Sequence, residues 1–153
     1  WDILITIACA FAISKAMTNS GLADLIAKSF IDVSTHFSPG SQIGPYILLG
    51  LLYLISNIIT ALITNNAAAA LCFPLALSIA SQLGVNPMPF FIAICVSASA
   101  DFSTPIGYQT NLIVQGIGNY KFMDFVRIGV PLNLLCLLIS VIIIPLVWPF
   151  ELI

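Results

Sequence analysis

Two short polar sequences interrupt otherwise apolar surroundings, and both carry the atoms that a dehydrated ion needs. Thr64-Asn65-Asn66 separates the apolar residues 45–63 from the apolar residues 67–83. Ser103-Thr104-Pro105-Ile106-Gly107-Tyr108-Gln109-Thr110-Asn111 separates the apolar residues 90–102 from residues 112–117. Pro105 removes a donor and clashes with the preceding turn, and Gly107 frees the backbone, so a helix breaks there and its released carbonyls can bind a cation. After Asn66, Ala67-Ala68-Ala69-Ala70 gives a helix start of small residues whose free N–H groups an anion could approach closely, with Asn65 or Asn66 suited as N-cap. Hydroxyls, amides and carbonyls are neutral oxygen ligands, which suit sodium. Neither sequence holds a Lys or Arg, so an anion bound there would draw its positive charge from bound sodium and from helix ends.

Asp101 stands just before the break. A carboxylate in an apolar segment is expensive and is a functional candidate by default. It could raise cation affinity, stabilise the break or stay protonated as a coupling carboxylate; equally, it could cap the broken segment by accepting nearby backbone amides.

The elements that position these residues are set by lipid. Of 153 residues, 60% are apolar and 7% charged, against roughly 25% charged in soluble domains, and the mean hydropathy is +1.12. Such a chain cannot clothe a globule in water. The sequence predicts an all-α, multi-pass integral membrane segment. A net charge of −2 and the lack of a basic run leave no footprint for nucleic acid. Cys9, Cys72, Cys95 and Cys136 sit singly in apolar stretches and read as small core residues. No cofactor is implied beyond sodium as coupling ion. The only histidine, His36, has no HExxH or GxSxG context, which argues against an intramembrane enzyme.

Along the chain, residues 1–17 are expected to span and to end at Thr18-Asn19-Ser20-Gly21. The first stretch lacks a basic leader, and the start at Trp1 suggests a piece of a longer polypeptide. Residues 22–37 place Leu22, Leu25, Ile26, Phe30, Val33 and Phe37 on one helical face and Asp24, Lys28 and Asp32 on another. Such a helix lies in the membrane interface or packs on another domain. Ser38-Pro39-Gly40-Ser41 is a break. Residues 45–83 form either two full spans with a tight polar turn or a re-entrant hairpin whose tip stops inside the membrane; backbone at that depth needs protein or a wet cavity around it. Residues 89–118 form a discontinuous helix, and residues 124–150 the last span, ended by Trp148 and Phe150. Ser56-Asn57 lacks an adjacent break and reads as hydrogen bonding between packed helices. Lys15 and Lys28 oppose Lys121 and Arg127, so the positive charges do not orient the bundle.

The sequence from Thr60 through Ala70, with Pro74 beyond, resembles the hairpin motif of the divalent anion/sodium symporter family (solute carrier family 13). The sequence from Thr104 through Asn111 resembles that family's broken-helix motif, nearest a branch that includes sulfate permeases of bacteria and algae. The resemblance covers essentially the whole chain and implies the second of two inverted repeats. It further implies an N-terminal repeat half in the same transporter, a homodimer and a location in a bacterial inner (plasma) membrane. Carried over by position, Thr60, Asn65 and the carbonyls of Ile63, Gly107 and Gln109 would hold sodium. Thr64, Asn65, Asn66, Tyr108, Thr110 and Asn111 would face the substrate. The family's Ser-Asn-Thr signature is Thr64-Asn65-Asn66 here, and Ala61 replaces a frequent glutamate. The implied function is sodium-coupled transport of a small divalent anion, sulfate ahead of a di- or tricarboxylate. The alternatives are a proton-coupled or oxyanion exporter of related fold, or a non-transporting interaction module if the half acts alone.

If residues 22–37 lie in the interface, single cysteines at Asp24→Cys and Asp32→Cys will react with an impermeant thiol reagent from the same side of the membrane. Labelling from opposite sides refutes the interfacial placement.

Overall fold

A computed structural model describes residues 1–37 and 44–151; the Ser38-Pro39-Gly40-Ser41 break lies outside the described residues. Among the described residues, apolar sequence between glycine and proline punctuation folds into seven helices: α1 Asp2–Asn19, α2 Leu22–Phe37, α3 Gly44–Thr60, α4 Asn65–Leu83, α5 Met88–Ser99, α6 Gln109–Gly118 and α7 Phe122–Val147. Among the described residues there is no strand, in keeping with the all-α class the composition predicts. By length and composition α4 and α7 can each cross a bilayer, whereas the apolar helices α3 and α5 are shorter.

Helix ends fall where the backbone can leave the helix cheaply. Gly21 (φ 72°) turns the chain from α1 into α2, and Gly84 (φ 66°) closes α4 in the left-handed conformation that a residue without a Cβ adopts without strain. The start of α4 differs from the sequence expectation. Thr64, rather than Asn65 or Asn66, is the N-cap: its backbone is extended and its hydroxyl accepts the Ala67 N–H at 3.4 Å. This leaves the Asn65 side chain free to turn back toward α3.

The core joins α3, α4 and α5 through Leu48, Leu49, Leu52, Leu75, Ile79, Phe90 and Ile94, with Ile144 of α7 against it. Helix α2 packs on α3 and α4 through the buried Ala23 and Ala27, with the half-buried Ile26, Phe30 and Ile31 beside them. Leu22, Leu25 and Val33 stay exposed. Small side chains let helices approach closely where lipid removes the hydrophobic advantage of burying large ones. Asp24 accepts a short hydrogen bond from the Ser78 hydroxyl of α4, and Gln82 donates to the same hydroxyl at 3.0 Å.

The two ends of the bundle differ. At the end holding the starts of α3 and α5, Phe150 lies 5.4 Å from both Tyr46 and Phe90 (ring centroids), and the Asn86 N–H donates to the Glu151 carbonyl at 2.9 Å. At the other end the α3–α4 turn meets the non-helical residues 100–108 between α5 and α6. Helix α6 has no buried residue and packs against no other described helix.

Candidate functional site

The site begins as a polar edge on α3. Tyr53, Ser56, Asn57 and Thr60 recur at helical spacing; Tyr53, Ser56 and Thr60 are buried and Asn57 half-buried. Helix α5 stops at Ser99, and a helix end leaves carbonyls without intrahelical donors. The α3 edge supplies them. Asn57 Nδ2 donates to the carbonyls of Ser97 (3.2 Å) and Ala100 (2.6 Å), and the Thr60 hydroxyl lies 2.8 Å from the Ala98 carbonyl. Asn133 of α7 donates to Asn57 Oδ1 at 3.0 Å and to Ser103 Oγ at 3.2 Å. Asn111 Nδ2 donates to the carbonyls of Asp101 and Thr104, both at 3.1 Å. The Thr104 hydroxyl lies 3.2 Å from the Ala61 carbonyl in the α3–α4 turn and 3.3 Å from Asp101 Oδ1. The break is thus sewn to the turn and to α7 by side-chain amides and hydroxyls.

Two glycines permit the approach. A Cβ on Gly129 of α7 would overlap the backbone of Phe102 and Ser103. A Cβ on Gly107 would overlap Asp101 Oδ2 and the Thr60 carbonyl oxygen. Asp101 is 4% exposed; Oδ1 faces the Thr104 hydroxyl, and Oδ2 accepts no hydrogen bond. The carboxylate receives no backbone N–H, so the capping role open to it in the sequence is not the one it plays.

The structure therefore brings Thr60, Asn65, Asp101 and Gly107 into one corner. The Thr60 hydroxyl is 2.9 Å from Asn65 Oδ1 as well as 2.8 Å from the Ala98 carbonyl; its single proton serves one of them at a time. Among the described residues the carbonyls of Ile63 and Gly107 accept none of the hydrogen bonds made outside the helices. Gln109 opens α6. Thr64, Asn66, Tyr108 and Thr110 are exposed on the open side, while the amide of Asn111 is taken up by the break. At the start of α4 the Asn65 and Asn66 N–H groups point out of the helix without an acceptor from it. Next to the break a cavity of about 360 Å³ is lined by Phe102, Asn111, Val114, Ile128, Gly129 and Leu132, among others.

Neutral oxygens converging on a buried carboxylate suit a hard monovalent cation. Among the described residues no three His, Cys, Asp or Glu side chains come together as soft-metal ligands would. Sequence reasoning assigned no site role to Asn57, Ser103 and Asn133. The available signal was their type: isolated amides within apolar helices find partners across helices.

The citrate transporter family profile matches residues 1–152. The chain is 44% identical over 140 residues to a putative sulfur deprivation response regulator of Chlamydomonas reinhardtii, covering 92% of this chain and 23% of that protein. It is 36% identical over 140 residues to a probable sodium/sulfate cotransporter 3 of the same alga, covering 92% of this chain and 15% of that one. Identity to a Na(+)/citrate cotransporter of Rattus norvegicus is 30% over 135 residues, covering 88% and 22%. The chain belongs to the citrate transporter family, a family of integral membrane transporters rather than enzymes, and spans no more than about a quarter of the length of these relatives.

Because the Gly129 contact is with main chain, Gly129→Ala should destabilise by about 1–3 kcal/mol, seen as a lower thermal unfolding midpoint in detergent. Adding Phe102→Ala should not restore it, since the obstructing atoms are backbone. Recovery in the double variant would place the conflict in the phenyl ring instead.

Proposed function

We propose that this chain supplies one half of a sodium-coupled transport site for a small divalent anion, sulfate ahead of citrate-like carboxylates. The observation that carries the reading is the corner where the end of α3, the start of α4 and the break meet. Cation-accepting oxygens of Thr60 and Asn65 lie beside Gly107 there, and the unspent N–H groups of α4 begin one residue away. Sodium is held by Thr60, Ile63, Asn65, Gly107 and Gln109. The anion is met by Thr64, Asn65, Asn66, Tyr108 and Thr110, with Asn111 bracing the break behind them. All four basic residues, Lys15, Lys28, Lys121 and Arg127, lie outside both polar sequences. The anion's charge is therefore balanced by bound sodium and by the positive end of α4.

The depth of the corner supports a re-entrant hairpin rather than two full spans. Asn133, which meets both α3 and the break, sits near the middle of the 26-residue α7. If α7 crosses the bilayer, the α3–α4 turn stops near its midplane, where surrounding protein must satisfy the exposed backbone. A second half completes the site: Leu112, Ile113, Val114 and Ile117 of α6 are exposed with no other described helix against them. The preceding inverted repeat of the same polypeptide fills that role, and two such polypeptides form the dimer. The relatives named for sodium and sulfate favour sulfate over the one named for citrate by their higher identity.

Uptake of labelled sulfate by the complete transporter in liposomes, across a sodium titration, tests the reading. Asn65→Ala should raise the half-saturating concentrations of both sodium and sulfate. Tyr108→Phe should raise mainly that of sulfate. Losing one buried hydrogen bond costs about 1–3 kcal/mol, or roughly tenfold or more in affinity. Linkage requires the sodium and anion effects of Asn65→Ala to be reciprocal. Uptake that proceeds equally without sodium overturns the proposal and favours proton coupling.

A further inference from the structure

Asp101 Oδ2 and the Thr60 carbonyl oxygen both crowd the space that a Cβ on Gly107 would occupy, and no donor reaches Oδ2. Asp101 is 4% exposed and Thr60 fully buried, so water does not screen the two acceptors from one another. Facing lone pairs in a medium of low dielectric repel, and an unpaired buried carboxylate is costly. The neighbouring hydroxyl offers no relief, because Thr104 faces Oδ1 and the Ala61 carbonyl. The nearby amides are spent elsewhere: Asn57 donates to the carbonyls of Ser97 and Ala100, Asn111 to those of Asp101 and Thr104, and Asn133 to Asn57 Oδ1 and Ser103 Oγ. The fold thus brings two acceptor oxygens against the same side of Gly107 and leaves Oδ2 without a donor.

We propose that Asp101 is an anionic ligand of the cation bound at the Thr60–Asn65–Gly107 corner, with Oδ2 and the Thr60 carbonyl oxygen both bonded to sodium. This rests on the reading of that corner as the sodium site. It adds a fixed negative charge to an otherwise neutral oxygen set, so sodium and carboxylate neutralise each other. Two consequences follow. Sodium binds without the anion and ties the end of α3 to the break. The anion then shares the ion's field with the carboxylate and draws correspondingly more on the N–H groups at the start of α4. Glycine is required at position 107, since any side chain would occupy the space in which Oδ2 and the Thr60 carbonyl meet.

The full-length transporter, purified in detergent with no sulfate or carboxylate present, tests this at constant ionic strength, with choline chloride balancing sodium chloride. Sodium, and not choline, should raise the thermal unfolding midpoint, and above the dissociation constant the rise should follow the logarithm of sodium concentration. Infrared difference spectra on adding sodium should show one carboxylate stretch shifting. Asp101→Asn should raise the half-saturating sodium concentration about tenfold or more, as expected for loss of a charged ligand, and abolish that band. Absence of any sodium effect on the wild-type protein would defeat the cation-site reading and this inference with it. If sodium stabilises the wild type and Asn65→Ala weakens the response, but Asp101→Asn does not and no carboxylate band moves, the role of Asp101 alone is overturned. A protonated carboxyl band that persists at saturating sodium also overturns it, because a proton then holds the position. Should Asp101→Asn fail to fold, the wild-type infrared spectrum decides by itself.

Discussion

An α-helix that stops in an apolar medium leaves its last carbonyls without donors, and no water is at hand to replace them. Helix α5 stops at Ser99, and most of the polar end of this chain can be understood as the answer to that problem. Asn57 and Thr60 meet the carbonyls of Ser97, Ala98 and Ala100; Asn111 meets those of Asp101 and Thr104. Each is a net gain of only about 0.5–1.5 kcal/mol, but leaving any one unmade would cost about 1–3. The arrangement is consequently close to all-or-none: removing one amide strands carbonyls on one side and often a second amide on the other.

Meeting those carbonyls decides which acceptors stay uncommitted. Donors are spent on the end of α5 and on the start of the break, whereas Ile63 and Gly107 keep their carbonyls out of that network. Glycine makes the selection geometrically possible. Gly129 admits the break's backbone against α7, and Gly107 admits Asp101 and the Thr60 carbonyl to one point. The result is a braced backbone on one side and uncommitted acceptors on the other.

The two ends of the bundle carry opposite chemistry. Phe150 against Tyr46 and Phe90 closes one end with aromatic contacts, while at the other α6 carries its apolar residues outward with no other described helix against them.

Much of this was legible in the residues themselves. Composition alone determined a helical chain for lipid, because 7% charged residues cannot solvate a globular surface. Pro105 and Gly107 marked the break, and Thr64-Asn65-Asn66 marked the turn, since both effects act on the backbone within a few residues. Tertiary structure decided the rest. Asn57 finds Ala100 at a separation of 43 residues and Asn133 at 76, distances over which no local periodicity carries information. The cap of α4 passed to Thr64 because Asn65 turned back to Thr60, and α2 buried its alanines because α3 and α4 lay close enough to reward small side chains. Asp101 was visible as a costly carboxylate, but its direction was not. Only the meeting of the break with the end of α3 pointed Oδ2 at an oxygen instead of at a donor, because the orientation of a buried charge is set by neighbours the chain brings from elsewhere.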